Sequence, residues 1–183
     1  NGWSWARRRG EPEGGVFWGV WEGGEYAPAP EEVGIFYGKE GPDLGTTRDL
    51  DPWAVGNGNH LISMEKDAAE GIMMIRKSNQ QQYGTVHGGM LVAFADTIAG
   101  HSLVPHGRVC VTQGSTVNFL RPAAGAYLFC RATPVPVGGR ICVVSVAQRN
   151  ERGALIPTAL FTFAVVKKMD PISLPPKHPG LTF

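Results

Sequence analysis

Residues 88–103 read Gly-Gly-Met-Leu-Val-Ala-Phe-Ala-Asp-Thr-Ile-Ala-Gly-His-Ser-Leu, and this stretch decides the fold. Two glycines precede a run that would place apolar side chains nearly all round a helix. A helix on a protein surface has a single apolar stripe, so a helix of this kind is expected to be buried on most of its sides. The sequence therefore predicts a central helix that other elements of the domain surround.

Strand-like segments lie on both sides of this helix. One of them, residues 71–76, follows a loop-rich entry and is joined to the helix by a loop. Proline, glycine and asparagine cluster in the short connections between the later segments, as turns favour. The later segments lie at about 108–119, 126–135, 140–149 and 154–167. The predicted fold class is α+β, with a curved antiparallel sheet wrapped around a long central helix.

The predicted domain covers residues 55–168. Residues 1–54 are interpreted as an extension, not a second domain, because they have no sustained helical or strand period. Residues 1–50 hold 11 of the 25 glycines and four of the five tryptophans. Solvated tails are normally poor in aromatic residues, so part of the extension is expected to lie against the domain or a neighbouring subunit. Residues 169–183 are rich in proline and predict an irregular tail.

The charge balance and hydropathy argue against several classes of protein. The chain has 183 residues with 17 basic and 16 acidic side chains, so it has no broad positive field for nucleic acid. No apolar run approaches the roughly 18 residues of a membrane span, and the first residues lack a secretory signal pattern. Cys110, Cys130 and Cys142 show no C-x-x-C spacing and are expected to be buried free thiols. We therefore expect a soluble, cytoplasmic protein.

A single carboxylate, Asp96, interrupts the otherwise apolar helix. A buried ionised carboxylate costs several kcal/mol unless it is paired or hydrogen-bonded, so a chemical use would explain its presence. Helix capping explains it poorly, because Asp96 lies about two turns inside the helix from Gly88. The other alternative is a carboxylate that a neighbouring hydroxyl or backbone group satisfies without any catalytic role.

The start of the helix is the second candidate element. Free backbone N–H groups and the positive end of the helix dipole favour an anion or a polarised carbonyl oxygen there, and Gly88 and Gly89 let a ligand approach. Close packing is the alternative role for the two glycines. About 12 Å of helix separates Gly88 from Asp96, too far for both to act on one small group in one chain. Two antiparallel helices related by a two-fold axis would bring Asp96 of one subunit to Gly88 of the other.

Three segments together resemble a known family. They are Gly-Thr-Val-His-Gly-Gly-Met-Leu-Val-Ala-Phe-Ala-Asp at 84–96, Val-Asn-Phe-Leu-Arg-Pro-Ala at 117–123 and Gly-Gly-Arg at 138–140. Over residues 60–167 the chain is similar to the hotdog-fold acyl-CoA thioesterases of the phenylacetate-degradation and 4-hydroxybenzoyl-CoA type, in which an acidic residue falls nine positions after the histidine. The resemblance implies a hotdog fold and a homodimer that hydrolyses acyl-CoA to a free acid and coenzyme A. It implies no cofactor, because coenzyme A is part of the substrate.

The resemblance also assigns roles to individual residues. The backbone N–H of Gly88 would polarise the thioester carbonyl, and Asp96 of the partner chain would act as nucleophile or as general base on water. Gln81 occupies the position of an Asn or Gln that contacts the thioester, although many relatives of the phenylacetate type have Asn. Thr112 matches a Ser or Thr that helps to orient the attacking water in some relatives, with an ordinary strand threonine as the alternative.

Four further residues complete the candidate site. His87 belongs to the family signature, and we expect it to hold the loop and the helix start. Gly89 lies beside Gly88 and is expected to contact the substrate. Arg121 and Arg140 lie at strand ends where similar proteins meet the phosphates of coenzyme A, and guanidinium groups suit such contacts. Ordinary exposed arginines are the alternative for both positions.

Other activities find less support in the sequence. The histidines include no i, i+4 pair, which argues against a metal hydrolase, and the absence of G-x-S-x-G argues against a serine hydrolase. A non-catalytic acyl-CoA sensor and a hydratase or dehydratase remain alternatives, because the hotdog fold also serves these functions. Met90, Phe94 and Ile98 either line an acyl pocket or pack in the core. Neither the acyl group nor the pairing of dimers into tetramers follows from the sequence.

Overall fold

The computed structural model describes residues 3–6, 18–21, 26–28 and 52–173, within two compact units, 1–47 and 48–183. In the first unit, strands β1 (Trp3–Ala6), β2 (Trp18–Trp21) and β3 (Tyr26–Pro28) form an antiparallel sheet in that order. Strands of three or four residues are too short to produce a visible sequence period. This explains why the tryptophan-rich stretch contains strands that its pattern did not predict.

In the second unit, the described residues form one six-stranded sheet, one long helix and a short helix. The elements are α1 (Pro52–Gly56), β4 (Asn59–Met64), β5 (Ala69–Met74), α2 (Gly88–His101), β6 (Arg108–Phe119), β7 (Tyr127–Val137), β8 (Ile141–Asn150) and β9 (Leu155–Lys168). The six strands are antiparallel neighbours in the order β4-β5-β7-β8-β9-β6, and the long helix α2 contacts all six. This arrangement confirms the predicted α+β class with a sheet around a central helix.

The four strands after the helix lie within about two residues of their predicted positions, whereas β4 was not predicted. The loop-rich entry expected before residue 71 is therefore wrong. Polar residues at Asn59, His60 and Ser63 obscure the strand pattern in β4, and its pairing with β5 shifts register between Leu61 and Ser63. Residues 169–173 have no regular structure, and the remainder of the predicted irregular tail lies outside the described residues.

Helix α2 ends at His101, two residues earlier than the sequence pattern indicated. The chain then forms a 3-10 turn at Val104–His106, which Gly107 closes with a φ of 65°. A side chain at Gly107 would be strained in this left-handed conformation and would also collide with the carbonyl oxygen of Met169. The turn directs the chain into β6, which runs back along the helix.

One stripe of α2 is fully buried against the sheet. It consists of Leu91, Phe94, Ala95, Ile98 and Ala99, spaced three and four residues apart. Gly71 in β5 allows the close approach, because a Cβ there would collide with the Cδ1 atom of Ile98. Of the residues considered for an acyl pocket, Phe94 and Ile98 therefore belong to the core.

The rest of the helix surface is less buried than the sequence suggested. Met90, Val92, Ala93, Asp96 and Thr97 are half-buried in the single chain. The expectation of a helix buried on most sides therefore does not hold within one protomer. The apolar residues on this second face are only partly covered, so another element can pack against them.

Strand β6 forms one edge of the sheet, with β9 as its neighbour among the described strands. It is exposed along most of its length, and the exposed fractions of Val111 and Phe119 are 52% and 54%. A long exposed edge with apolar side chains is a surface on which a further strand can pair.

None of the helices in the described ranges has the length and apolar content needed to cross a bilayer.

Candidate active site

The first turn of α2 is organised by its N-cap residue, His87. The backbone of His87 is extended (φ −63°, ψ 135°), and its Nδ1 atom accepts a hydrogen bond from the N–H of Gly89 at 3.0 Å. Its carbonyl oxygen accepts from the N–H of Met90 at 2.9 Å. The expected contact of Gly89 with a substrate therefore cannot use its N–H in this arrangement. The same hydrogen bond stabilises the helix start, which is the role expected for His87.

Gly88 supplies the N–H that this arrangement leaves for a ligand. Among residues 52–173, no group accepts a hydrogen bond from it. The positive end of the helix dipole coincides with this N–H group. The ring of Phe119 lies beside it, since a Cβ on Gly88 would be 3.5 Å from Cζ of Phe119. The helix start thus combines one free donor with an apolar wall.

Asp96 and Thr112 are brought together by the packing of α2 on β6. The hydroxyl of Thr112 donates a hydrogen bond to Oδ1 of Asp96 at 2.7 Å. Asp96 is half-buried, not fully buried as the apolar helix suggested, and a neighbouring hydroxyl does satisfy one of its oxygens. Within the described part of the chain, no hydrogen bond reaches Oδ2. One carboxylate oxygen is therefore held by Thr112, and the other has no hydrogen-bond partner among the described residues.

Helix α2 and strand β6 run in opposite directions, and this separates the two halves of the site. Gly88 lies near Phe119 at one end of β6, whereas Asp96 lies near Thr112 towards the other end. Along the helix, the two candidate catalytic groups are about 12 Å apart. Within one chain the two groups therefore lie beside different ends of β6.

Gln81 lies in the loop that connects β5 to α2, and both polar atoms of its side chain have partners within that loop. Its Nε2 atom donates to Oγ1 of Thr85 at 2.7 Å, and its Oε1 atom accepts from the N–H of Tyr83 at 2.7 Å. These bonds stabilise the loop in the present conformation. Contact between Gln81 and a thioester would require at least one of them to open.

Arg121 and Arg140 lie at opposite ends of strand β9 in one protomer. The N–H of Arg121 donates to the carbonyl of Ile156, and its Nη1 atom donates to the carbonyl of Leu155 at 2.9 Å. The carbonyl of Arg140 accepts from the N–H of Val165 at 2.8 Å. Nine residues of extended strand span about 30 Å. Both arginines are exposed, but one protomer does not present them as a pair.

Two buried polar residues near the helix were not singled out from the sequence. Asn79 and Gln148 are both fully buried. Gln148 in β8 donates from Nε2 to the carbonyl of Leu91 in α2 at 2.7 Å, which ties the sheet to the end of the first helical turn. Neither residue carries a charge or belongs to a motif. Their burial is a property of the tertiary structure and leaves no mark in the sequence pattern.

The three cysteines are free thiols, although Cys110 is half-buried and not fully buried as expected. The pKa of Cys110 is raised to about 11, mainly by burial and to a smaller extent by the neighbouring thiol of Cys142. Burial also raises the pKa of Cys130. Both thiols are therefore protonated near neutral pH and unsuited to nucleophilic catalysis.

In the described residues, no cluster of His, Cys, Asp and Glu is arranged to hold a metal ion.

Known proteins share both this sequence pattern and this fold. The pattern described as Thioesterase superfamily matches residues 83–157. A putative esterase from Haemophilus influenzae is 30% identical over 60% of this chain and 81% of its own length. These similarities, with the fold described above, show that the chain belongs to the thioesterase superfamily. Its enzyme class is thioester hydrolase.

Solved structures agree with this assignment. A thioesterase from Haemophilus influenzae superposes with a TM-score of 0.63 at 26% identity, over 70% of this chain and 94% of the other. A hypothetical thioesterase from Streptococcus pneumoniae, solved with coenzyme A, has a TM-score of 0.59 at 26% identity, covering 61% and 88%. Two mutant structures of the Streptococcus protein carry alanine at an aspartate and at a threonine sixteen residues later. Thr112 likewise lies sixteen residues after Asp96.

Proposed function

We propose that the protein is an acyl-CoA thioesterase that works as a homodimer, with each active site assembled from two subunits. The observation that carries the proposal is the hydrogen bond from Thr112 to Oδ1 of Asp96, which leaves Oδ2 available beside the open edge of the sheet. The free N–H of Gly88 supplies the second part of the site. Binding of coenzyme A by the Streptococcus pneumoniae protein supports the choice of acyl-CoA as substrate class.

The dimer follows from pairing the exposed edge strands. If β6 pairs with the β6 strand of a second subunit in antiparallel fashion, the sheet continues and the two α2 helices lie side by side. The partner's Asp96 reaches Gly88 when the partner's Thr112 lies opposite Phe119. The register between β6 and β9 shifts at Thr112–Gly114, and with that bulge counted, the two-fold axis falls within about one residue of Thr116.

The chemistry then divides between the two subunits. The thioester carbonyl oxygen accepts a hydrogen bond from the N–H of Gly88, which stabilises the oxyanion that forms. Oδ2 of the partner's Asp96 removes a proton from water as the water oxygen attacks the carbonyl carbon. Collapse of the tetrahedral intermediate breaks the C–S bond, and the thiolate takes the proton back from Asp96. The products are a free acid and coenzyme A, with the carboxylate regenerated.

A second route uses the same atoms in a different order. Oδ2 of Asp96 attacks the carbonyl carbon directly, the thiolate leaves, and water hydrolyses the mixed anhydride. Both routes give the same products and need no cofactor. Hydrolysis in ¹⁸O-labelled water under single-turnover conditions tests for the second route. Label in the protein carboxylate would establish that route, because water that attacks the Asp96 carbonyl carbon of the anhydride leaves its oxygen there, whereas the general-base route places the label only in the product acid.

The remaining candidate residues have supporting roles in the proposal. His87 and Gly89 fix the helix start through the hydrogen bond between them. Gln81 contacts the thioester after exchanging its bond to Thr85 for one to the substrate. Arg121 of one subunit and the partner's Arg140 approach each other when the edge strands pair antiparallel, so the phosphates of coenzyme A can meet both.

The Asp96→Asn variant tests the proposal, with release of free thiol from acyl-CoA as the readout. We expect turnover to fall by about two to four orders of magnitude, because the amide cannot act as base or nucleophile. The folded dimer should persist, since asparagine has nearly the same shape and can still accept a hydrogen bond from Thr112. Unchanged turnover would remove Asp96 from the mechanism. Tight acyl-CoA binding without thiol release by the wild-type protein would favour a sensor.

Mixed dimers test the shared site. We expect homodimers of Asp96→Asn to be inactive at both sites, and the same of homodimers of Gly88→Trp, whose indole would cover the Gly88 N–H beside Phe119. A heterodimer of the two variants contains one site with wild-type Gly88 and wild-type Asp96, so it should recover about half of the wild-type activity. Heterodimers that form but stay inactive would contradict the two-subunit arrangement.

The proposal includes a cytoplasmic location. Three free thiols, two of them fully buried, suit a compartment that keeps cysteines reduced. Fractionation of cells that express the protein, with thioesterase activity followed in each fraction, tests this part independently of the mechanism.

A further inference from the structure

Asn79 connects three parts of the molecule through one fully buried side chain and its backbone. The Nδ2 atom donates to the carbonyl of Met74, the last residue of β5, at 3.1 Å. The Oδ1 atom accepts from the N–H of Arg76 at 2.9 Å. The backbone carbonyl of Asn79 accepts from the N–H of His87 at 2.9 Å. The end of a strand is thereby joined to the cap of the catalytic helix.

This connection is anchored in a strand that is buried along its whole length. All six residues of β5 are buried, and β5 pairs with β4 on one side and β7 on the other. Its Gly71 also packs directly on Ile98 of α2. The hydrogen bond from Asn79 to the carbonyl of Met74 therefore holds the Asn79 side chain against a buried strand. The loop between Asn79 and His87 is clamped further by the hydrogen bond from the N–H of Val86 to the carbonyl of Ala123, at 2.8 Å.

The peptide unit that follows His87 carries the N–H of Gly88. Because the N–H of His87 is bound to Asn79 and the ring of His87 is bound to Gly89, the orientation of this peptide is held from both sides. A hydrogen-bond donor stabilises an oxyanion only if it points at the position where the charge develops. We infer that Asn79 is a positioning residue, which sets the direction of the Gly88 N–H through His87. This inference rests on the proposed function of Gly88.

The chemistry of the side chain explains why this position holds an asparagine. An amide offers a donor and an acceptor together, at the reach that the Met74 carbonyl and the Arg76 N–H require. Aspartate would keep the acceptor but leave the Met74 carbonyl unpaired beside a buried charge, and leucine would satisfy neither group. A change at Asn79 therefore loosens the loop that leads to His87 without touching the substrate.

The test compares Asn79→Ala with Ser102→Ala. Ser102 is also fully buried and polar, and it donates to the carbonyl of Ala99 at 2.6 Å at the other end of α2. Both variants lose one buried hydrogen-bonding side chain, at opposite ends of α2. We expect kcat per folded molecule to fall about tenfold or more in Asn79→Ala, with KM for acyl-CoA changed less than about twofold. Ser102→Ala should lower the melting temperature but leave kcat per folded molecule unchanged.

Hydrogen–deuterium exchange of the peptide over residues 84–91 provides a readout that does not depend on activity. We expect faster exchange in Asn79→Ala and exchange at the wild-type rate in Ser102→Ala. If Asn79→Ala does not fold, Asn79→Ser takes its place with the same criteria, because its hydroxyl can replace one of the two lost contacts.

Unchanged kcat per folded molecule in an active enzyme would overturn the role of Asn79, as would an equal loss in Ser102→Ala. Unchanged exchange at residues 84–91 would overturn it whether or not the wild-type protein is active. A wild-type protein that releases no thiol from any acyl-CoA would instead overturn the proposed function, and the exchange data would still decide whether Asn79 holds the helix start.

Discussion

At the scale of single residues, the hydroxyl of Thr112 has one proton, and that proton is committed to Oδ1 of Asp96. The hydroxyl can therefore assist a water molecule only by accepting a hydrogen bond from it. Its larger effect is on the carboxylate, because fixing Oδ1 also fixes the direction of Oδ2. Thr112 thus acts on the proposed reaction mainly through the orientation of Asp96.

Substitutions at Thr112 should separate this orientation from packing. Thr112→Val keeps the shape of the side chain and removes the hydroxyl, so we expect kcat to fall by about ten- to a hundredfold with little change in stability. Thr112→Ser keeps the hydroxyl and should retain most of the activity. Steady-state thioester hydrolysis and thermal melts of both variants provide the check. Equal activity of the valine and serine variants would show that the hydrogen bond has no role in turnover.

Single residues also differ in whether the sequence alone marks them as candidates for the site. Asp96 was identifiable because a charge is conspicuous in an apolar helix, and Gly88 because glycines mark a helix start open to ligands. Asn79 and Gln148 gave no such signal, since an uncharged polar residue in a loop or strand looks like many exposed ones. Their importance comes from burial and from partners distant in sequence, such as Leu91 for Gln148.

At the scale of elements, the approach of α2 to β5 depends on the missing side chain of Gly71. The strand is buried along its whole length, so the surrounding residues have little freedom to move. A Cβ at this position would collide with Ile98 and would lie 3.0 Å from the carbonyl oxygen of His60. Glycine is therefore a packing requirement here, although it weakens a strand in other settings.

Gly71→Ala should consequently destabilise the domain by about 1–3 kcal/mol, the usual cost of overpacking a core. Gly139 offers a matched control, because a Cβ there would meet nothing within 4 Å. Gly139→Ala should change the unfolding free energy by less than about 0.5 kcal/mol. Urea denaturation followed by circular dichroism measures both variants. A loss in Gly71→Ala no larger than that in the control would mean that α2 can shift to make room.

The strands also differ in how well their sequence patterns predict them. Strands β6 to β9 were predictable because Pro, Gly and Asn punctuate long apolar or alternating runs. Strand β4 has only six residues, several polar positions and a register shift against β5. It becomes a strand because β5 offers a pairing edge, which is information from the tertiary structure and not from local pattern.

At the scale of the whole molecule, the exposed strand β6 and the half-buried face of α2 both support the proposed dimer. Helix geometry indicates that one chain cannot complete the candidate site, and we propose that a second chain completes it at the exposed edge strand β6. The sequence could not supply the register of that pairing, because register depends on the bulge at Thr112–Gly114 and on the positions of Phe119 and Gly88.

The register makes Thr116 the residue closest to the proposed two-fold axis, and this can be tested by charge. Thr116→Asp brings two carboxylates together across the axis, so their repulsion should weaken the dimer and reduce activity in parallel. Thr133→Asp makes the same change at an exposed threonine in β7, away from the edge, and should affect neither. Analytical ultracentrifugation and thioester hydrolysis, measured over one concentration series, follow the two properties together.

A charge swap makes the test of the axis specific. Thr116→Lys should also weaken the homodimer, but mixing it with Thr116→Asp places opposite charges across the axis and should restore both association and activity. Added salt should reduce the difference between the single variants and the mixture, because exposed charges are screened. If both single variants remain full dimers at low salt, the two-fold axis lies elsewhere. In that case the partner's Asp96 would need another route to Gly88.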